Sequence, residues 1–131
     1  MKILKFEELP IWKLSLSITK EIYDFTSNYK FSKDYCLRDQ IRRAVISISS
    51  NIVEGFEKNN NNEFIRYLKI AKGSLGEVRN QLYIALSILY ISQKEFDQLN
   101  LKLLNLASQI GGLTSYLIKN KSVIRNSKLN N

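Results

Sequence analysis

Histidine is absent from the 131 residues, and cysteine occurs once, at Cys36. These two shortages remove several chemistries together. A Ser-His-Asp or Cys-His nucleophile system has no base. A zinc site would have only carboxylates to add to a solitary thiolate. No intrachain disulfide can form, so a reducing compartment is allowed. Free cysteines are mostly small buried apolar residues, and Cys36 is read as core packing rather than as a reactive thiol. One proline and five glycines exclude collagen-like and Pro/Gly-rich disordered classes. Long apolar runs are missing too. The longest charge-free stretch, Leu103 to Ile118, spans sixteen residues and contains Asn, Gln, Ser, Thr and Gly111-Gly112. A spanning helix needs about 20 mostly apolar residues. The N-terminal stretch to Pro10 lacks the apolar core and cleavage site of a signal peptide. The expectation is a cytoplasmic protein with no membrane partner.

What is present is helical periodicity. In a first segment from about Leu9 to Tyr29, Ile11, Leu14, Ile18, Ile22 and Phe25 form one stripe, with Trp12, Leu16 and Tyr23 beside it. Pro10 suits its first turn. After a link at 30–34, Leu37, Ile41, Ala44, Ile48 and Ile52 recur at spacings of three and four, up to Gly55 as a C-terminal cap. The asparagine run 59–62 reads as a short loop ending in an Asn cap. In the third segment Phe64, Leu68, Ala71, Leu75, Val78, Leu82, Ala85 and Leu89 alternate four and three without a slip. Ser92 and Glu95 have the spacing of a capping box. It opens a fourth segment with Phe96, Leu99, Leu103, Leu106, Ile110, Leu113 and Leu117 as its seam. No sustained period-two run points to a strand. Long helices on short loops pack antiparallel, so the fold class is all-α: an up-down-up-down antiparallel four-helix bundle over residues 1–118. Residues 119–131 form a basic tail.

More apolar surface is present than one copy needs. Between Leu82 and Ile91 only Ser87 is not apolar, counting the tyrosines. A surface helix shows a single stripe about 100° wide. Tyr83, Ile84, Ile88 and Ile91 are therefore candidates for an interface between identical subunits. The alternative is a broad core with scattered surface leucines. Gly73, Gly76, Gly111 and Gly112 lie inside helices, where each costs about 1 kcal/mol relative to alanine. Close helix approach and simple tolerance both remain open there.

Gln40, Arg43, Ser47, Asn51 and Glu54 make a polar line along the second segment. Folding about a loop centred near residue 58 or 59 sets Arg43 level with Ser74, Gln40 with Glu77 and Asn51 with Arg66. Arg43 then meets Glu77, and Arg66 meets Glu54, in a structural polar network. The competing reading makes Glu54 and Glu77 metal or acid-base carboxylates. Helical hydrolases need several carboxylates on facing helices, and this chain offers few. No catalytic residue, metal or cofactor is assigned.

Lys and Arg total 20 against 12 acids, a formal charge of +8. Half of it lies in the tail, with Lys119, Lys121, Arg125 and Lys128 and no acid. Arg66, Lys69, Lys72 and Arg79 add to it from the third segment, and Arg38 and Arg42 from the second. Such a surface attracts phosphate backbones by counterion release, without reading sequence. Plain solubility is the competing account. Apart from Tyr67, aromatics do not interleave with these cations, so no base-stacking motif is visible.

Phe6-x-x-Leu9-x-x-Trp12 opens the first helix, and Gln40-x-Arg42-Arg43-Ala44-x-x-Ser47-Ile48-x-x-Asn51-Ile52-x-Glu54-Gly55 fills the second. Phe64-x-x-x-Leu68-x-x-Ala71-x-Gly73-Ser74-x-x-Glu77 and Gly112-Leu113-x-x-Tyr116-Leu117 follow. Over about residues 6–118 the chain resembles the bacterial four-helix bundle proteins related to those encoded in intervening sequences of 23S ribosomal RNA genes. The resemblance implies an up-down bundle and a homopentameric ring. The architecture is also similar to that of accessory proteins of diversity-generating retroelements, which bind a reverse transcriptase and nucleic acid. It supplies no catalytic residues. Leu89 departs from the pattern, standing where a glycine often precedes Tyr-Ile.

The combined expectation is a non-enzymatic, oligomeric bundle. It binds RNA, DNA or a nucleoprotein through Arg38, Arg42, Arg66, Lys69, Lys72, Arg79, Lys119, Lys121 and Arg125. The alternative is an interaction scaffold that presents an apolar docking surface to a protein partner.

Overall fold

The computed structural model describes residues 3–120. A short 3₁₀ turn at Phe6–Glu8 precedes α1 (Pro10–Thr26). Then come α2 (Tyr29–Lys33), α3 (Tyr35–Glu57), α4 (Asn61–Ser87) and α5 (Gln93–Asn120). The four long helices, α1, α3, α4 and α5, form an antiparallel four-helix bundle. Each packs on two neighbours in the cyclic order α1, α3, α4, α5, and the α3–α4 contact is the most extensive. No strand occurs among the described residues.

The apolar stripes become the core. Ile18, Ile22, Ile41, Ile48, Ile52, Leu68, Leu82, Leu99, Leu103 and Leu106 are wholly buried. Burying a side chain of this size stabilises by about 1.5–3 kcal/mol, so the stripes supply the main driving force. The buried hydroxyls of α1 are satisfied within their own helix. Ser15 Oγ donates to the Trp12 carbonyl at 2.7 Å and Thr26 Oγ1 to that of Ile22 at 2.7 Å.

The helix ends follow side-chain chemistry. Asn28, Asp34 and Asn60 cap α2, α3 and α4 by accepting from the amides of Phe31, Leu37 and Glu63. Ser92 Oγ accepts from the Glu95 amide at 3.1 Å, and Glu95 Oε1 from the Ser92 amide at 2.9 Å, completing the capping box. Asn59 adopts the left-handed conformation, φ 59°, that asparagine tolerates. The asparagine run therefore divides its work between a turn residue and a cap.

Five expectations are corrected. The first helix stops at Thr26, and the expected link at 30–34 is mostly α2, seated by the buried Phe31 ring. α3 continues past Gly55 to Glu57, so Gly55 is no cap. It lets α4 approach: a Cβ added there would lie 2.6 Å from Tyr67 Cβ. Leu89 leaves the α4 seam. It is the left-handed residue, φ 65°, of a Schellman turn in which Tyr90 N–H donates to Ala85 O and Leu89 N–H to Leu86 O. The helical glycines Gly73, Gly76 and Gly112 have no neighbour within 4 Å of a built Cβ, so no helix of this subunit presses on them. Cys36 is exposed, not packed in the core.

Candidate functional site

The bundle presents three surfaces with chemical character. The first is basic. Between Phe64 and Gly76 α4 carries no acid, and α5 carries none from Gln98 to Asn120. Arg66, Lys69 and Lys72 project from this half of α4. The Lys72 Nζ lies over Gly111 of α5, 3.6 Å from where a Cβ would stand, so the lysine spans the α4–α5 seam. Arg79 reaches across the same seam and donates from Nε to Asn100 Oδ1 at 2.9 Å. Lys119 is exposed at the end of α5.

The nine sequence-derived cations are not equivalent. Lys69, Lys72 and Lys119 have no ion-pair partner among the described residues. Arg66 donates to Glu63 Oε1 at 3.0 Å and covers the Tyr67 ring, which leaves it half-neutralised. The Arg66 bond holds the Glu63 carboxyl below the usual carboxylate range. Arg38 and Arg42 lie elsewhere, where α3 meets α1 and α2. Arg42 Nε donates to Thr26 Oγ1 at 2.8 Å, and its guanidinium lies over Tyr23. Arg38 donates to Asp39 Oδ1 at 2.8 Å and to the Ser32 carbonyl at 3.1 Å. These two tie helices together and stand apart from the α4–α5 face. Lys121 and Arg125 lie outside the described residues. Sequence reasoning missed Tyr23 and Tyr35 as the rings beneath Arg42 and Arg38. The i, i+3 spacing of Tyr35 and Arg38 was the available signal.

The second surface is the polar line between α3 and α4. Its register differs from the expected one by a helical turn. Ser47 Oγ and Ser74 Oγ share a hydrogen bond at 2.9 Å, and Asn51 Nδ2 donates to Ser47 O and Oγ. The Tyr67 hydroxyl donates to Glu54 Oε2 at 3.4 Å. Arg66 pairs with Glu63 rather than with Glu54. No ion pair joins Arg43 and Glu77. Instead Gln40, Arg43, Ala44, Ser47, Glu77 and Gln81 line an open groove of about 440 Å³. The cause of the shift is the continuation of α3 through Phe56 and Glu57, which moves the loop centre by about two residues toward Asn60 and so slides one helix against the other by about four. Glu54 does not line the groove, and no cluster of three metal-ligating side chains exists among the described residues.

The third surface is apolar. Tyr83, Ile84, Ile88 and Leu89 are 50%, 41%, 45% and 75% exposed at the C-terminal end of α4. Leu101 and Leu104 add exposed surface on α5. Ile91 is removed from the interface set: at 4% exposure it packs into the subunit's own core, because the Schellman turn reverses the chain ahead of it. No helix among the described residues is long and apolar enough to cross a membrane.

Comparison with known proteins places these surfaces in a family. The model of the 23S rRNA-intervening sequence protein family matches residues 7–112. A crystal structure of a protein of unknown function, from the S23 ribosomal protein family of Bacteroides thetaiotaomicron, superposes with a TM-score of 0.73 at 23% identity. The alignment covers 79% of this chain and 97% of that one, and at this identity it speaks for the fold alone. No curated protein matches.

Proposed function

Because the chain belongs to the 23S rRNA-intervening sequence protein family, we propose that it works as a non-enzymatic, cytoplasmic oligomer that binds RNA or DNA through the α4–α5 face. One observation carries this reading: Lys69, Lys72 and Lys119 have no ion-pair partner among the described residues and stand near Arg66 and Arg79. Phosphates condense on such a face because binding releases their counterions. Lys121 and Arg125 follow Lys119 in sequence and extend the same charge. Copies associate through Tyr83, Ile84 and Ile88, into the homopentameric ring that the resemblance implies. A ring repeats the basic face and sums its field.

Electrophoretic shift of labelled RNA and DNA across a salt series tests the reading. Binding weakens steeply with salt, and the double variant Lys69→Glu/Lys72→Glu lowers the logarithmic salt slope by about one per lysine. Absence of a shift at low salt refutes it. A second reading rests on the exposed Tyr83, Ile84, Ile88 and Leu89, which suit a docking surface for a protein partner. A partner that stays bound after nuclease digestion favours this scaffold reading. Light-scattering mass decides whether the subunits associate at all.

A further inference from the structure

The groove between α3 and α4 holds charge and hydrogen-bonding capacity that the fold leaves unused. Arg43 and Glu77 face it from opposite helices, are exposed, and form no ion pair with each other. Asp39, the acid one turn from Arg43, is bonded to Arg38 instead. One turn beyond the Ser47–Ser74 bond, where the helices are drawn together, the groove opens. At its far end Gln81 is 6% exposed, and its side-chain carbonyl oxygen is buried without a donor. The groove thus presents one cation and one anion around a volume at the lower end of small-molecule sites.

We propose that this groove binds a free α-amino acid through its zwitterionic backbone. The ligand's carboxylate accepts from the Arg43 guanidinium, for which two parallel N–H···O bonds are the favoured geometry. The ligand's ammonium donates to the Glu77 carboxylate. Gln40 and Ser47 offer further amide and hydroxyl contacts along the rim. A ligand carrying both charges satisfies Arg43 and Glu77 together and adds no net charge to the groove. Among the described lining residues Ala44 alone is apolar, so recognition falls on the groups common to all amino acids, with little choice among side chains. This site is separate from the α4–α5 face and does not depend on nucleic-acid binding.

The test is an amide-resolved NMR titration of the full chain with L-alanine, against N-acetylalanine and alaninamide, at matched ionic strength. Saturable shifts are expected at Ser47, Ser74 and Gln81, including the Gln81 side-chain amide. Each blocked derivative lacks one charge and binds at least about tenfold more weakly, the factor a charge-assisted hydrogen bond carries. Arg43→Gln and Glu77→Gln, both at exposed positions, reduce L-alanine affinity by a similar factor. Shifts no larger than those from sodium chloride overturn the proposal. So does equal binding of the blocked derivatives, a result read on the unaltered protein and therefore independent of how the variants fold.

Discussion

Glycine-to-alanine substitution is expected to act with opposite signs along this bundle. In a helix interior alanine is favoured over glycine by about 1 kcal/mol. At Gly73 and Gly76 nothing lies within 4 Å of the new methyl group, so that gain is realised in full. Each variant should melt higher, by roughly 3–5 °C for a chain of this size. At Gly55 the new Cβ would sit 2.6 Å from Tyr67 Cβ, 3.1 Å from Phe64 Cδ1 and 3.4 Å from the Phe64 carbonyl. The nearest of these is the first side-chain atom of α4, which no rotamer change can move. Relief requires α3 and α4 to separate by several tenths of an ångström along their main contact. Overpacking of this kind costs about 1–3 kcal/mol, more than the propensity gain offsets. A fixed Cβ only 2.6 Å away puts the cost in the upper part of that range, so the net loss after the helix gain is about 1–2 kcal/mol and Gly55→Ala should melt lower by roughly 3–10 °C. Thermal denaturation followed by helical circular dichroism, for the three variants side by side, provides the assay. Equal stabilisation at all three positions would show that α3 and α4 do not approach as described. A loss at Gly73 or Gly76 would mean that a further surface closes on those glycines in solution, contrary to their open surroundings in the subunit.

Further outcomes follow from the helix ends and the core. Leu89→Gly should stabilise by about 1 kcal/mol, because Leu89 holds φ 65° while 75% exposed, so little packing is lost; chemical denaturation measures it, and a decrease would assign Leu89 a packing role. Tyr90 donates from its hydroxyl to Asp34 Oδ2 at 3.0 Å, and that bond, ahead of partial burial, holds its pKa above the ordinary tyrosine value. The folded state thus keeps the phenolic proton longer than the unfolded chain does. The bond's contribution is complete below the ordinary value and is lost as pH rises through the higher folded one. The melting-temperature advantage over Tyr90→Phe should accordingly shrink in alkaline solution, above about pH 10, and a constant difference there would refute the linkage. Ile48→Ala, at a wholly buried site facing the other helices, should cost about 2–5 kcal/mol in equilibrium unfolding; a cost under about 1 kcal/mol would indicate a core able to collapse around the missing atoms.

Charge sign and helical face were legible in the chain; the company each charge keeps was not. Arg42 and Lys72 look alike in sequence, but Arg42 binds Thr26 on α1 whereas Lys72 spans the seam to α5. The same limit applies to Ile91, which is buried although Ile88 and Leu89 just before it are exposed. The interface reading takes residues 82–91 as one helix apolar all round, and the turn at Leu89 ends that helix before Ile91.

The sequence by itself determined the number of long helices, their buried stripes, and the caps at Asn60 and Ser92. Those features are set within one or two turns of chain, where a period of 3.6 and a side-chain oxygen near a free amide suffice. The tertiary structure alone decided the register of α3 against α4, and with it the groove that Arg43 and Glu77 line. Periodicity fixes which face of a helix is buried but leaves sliding along the axis free. That freedom is removed only by contacts between residues distant in the chain: the closeness of Gly55 to Tyr67 and the hydrogen bond between Ser47 and Ser74.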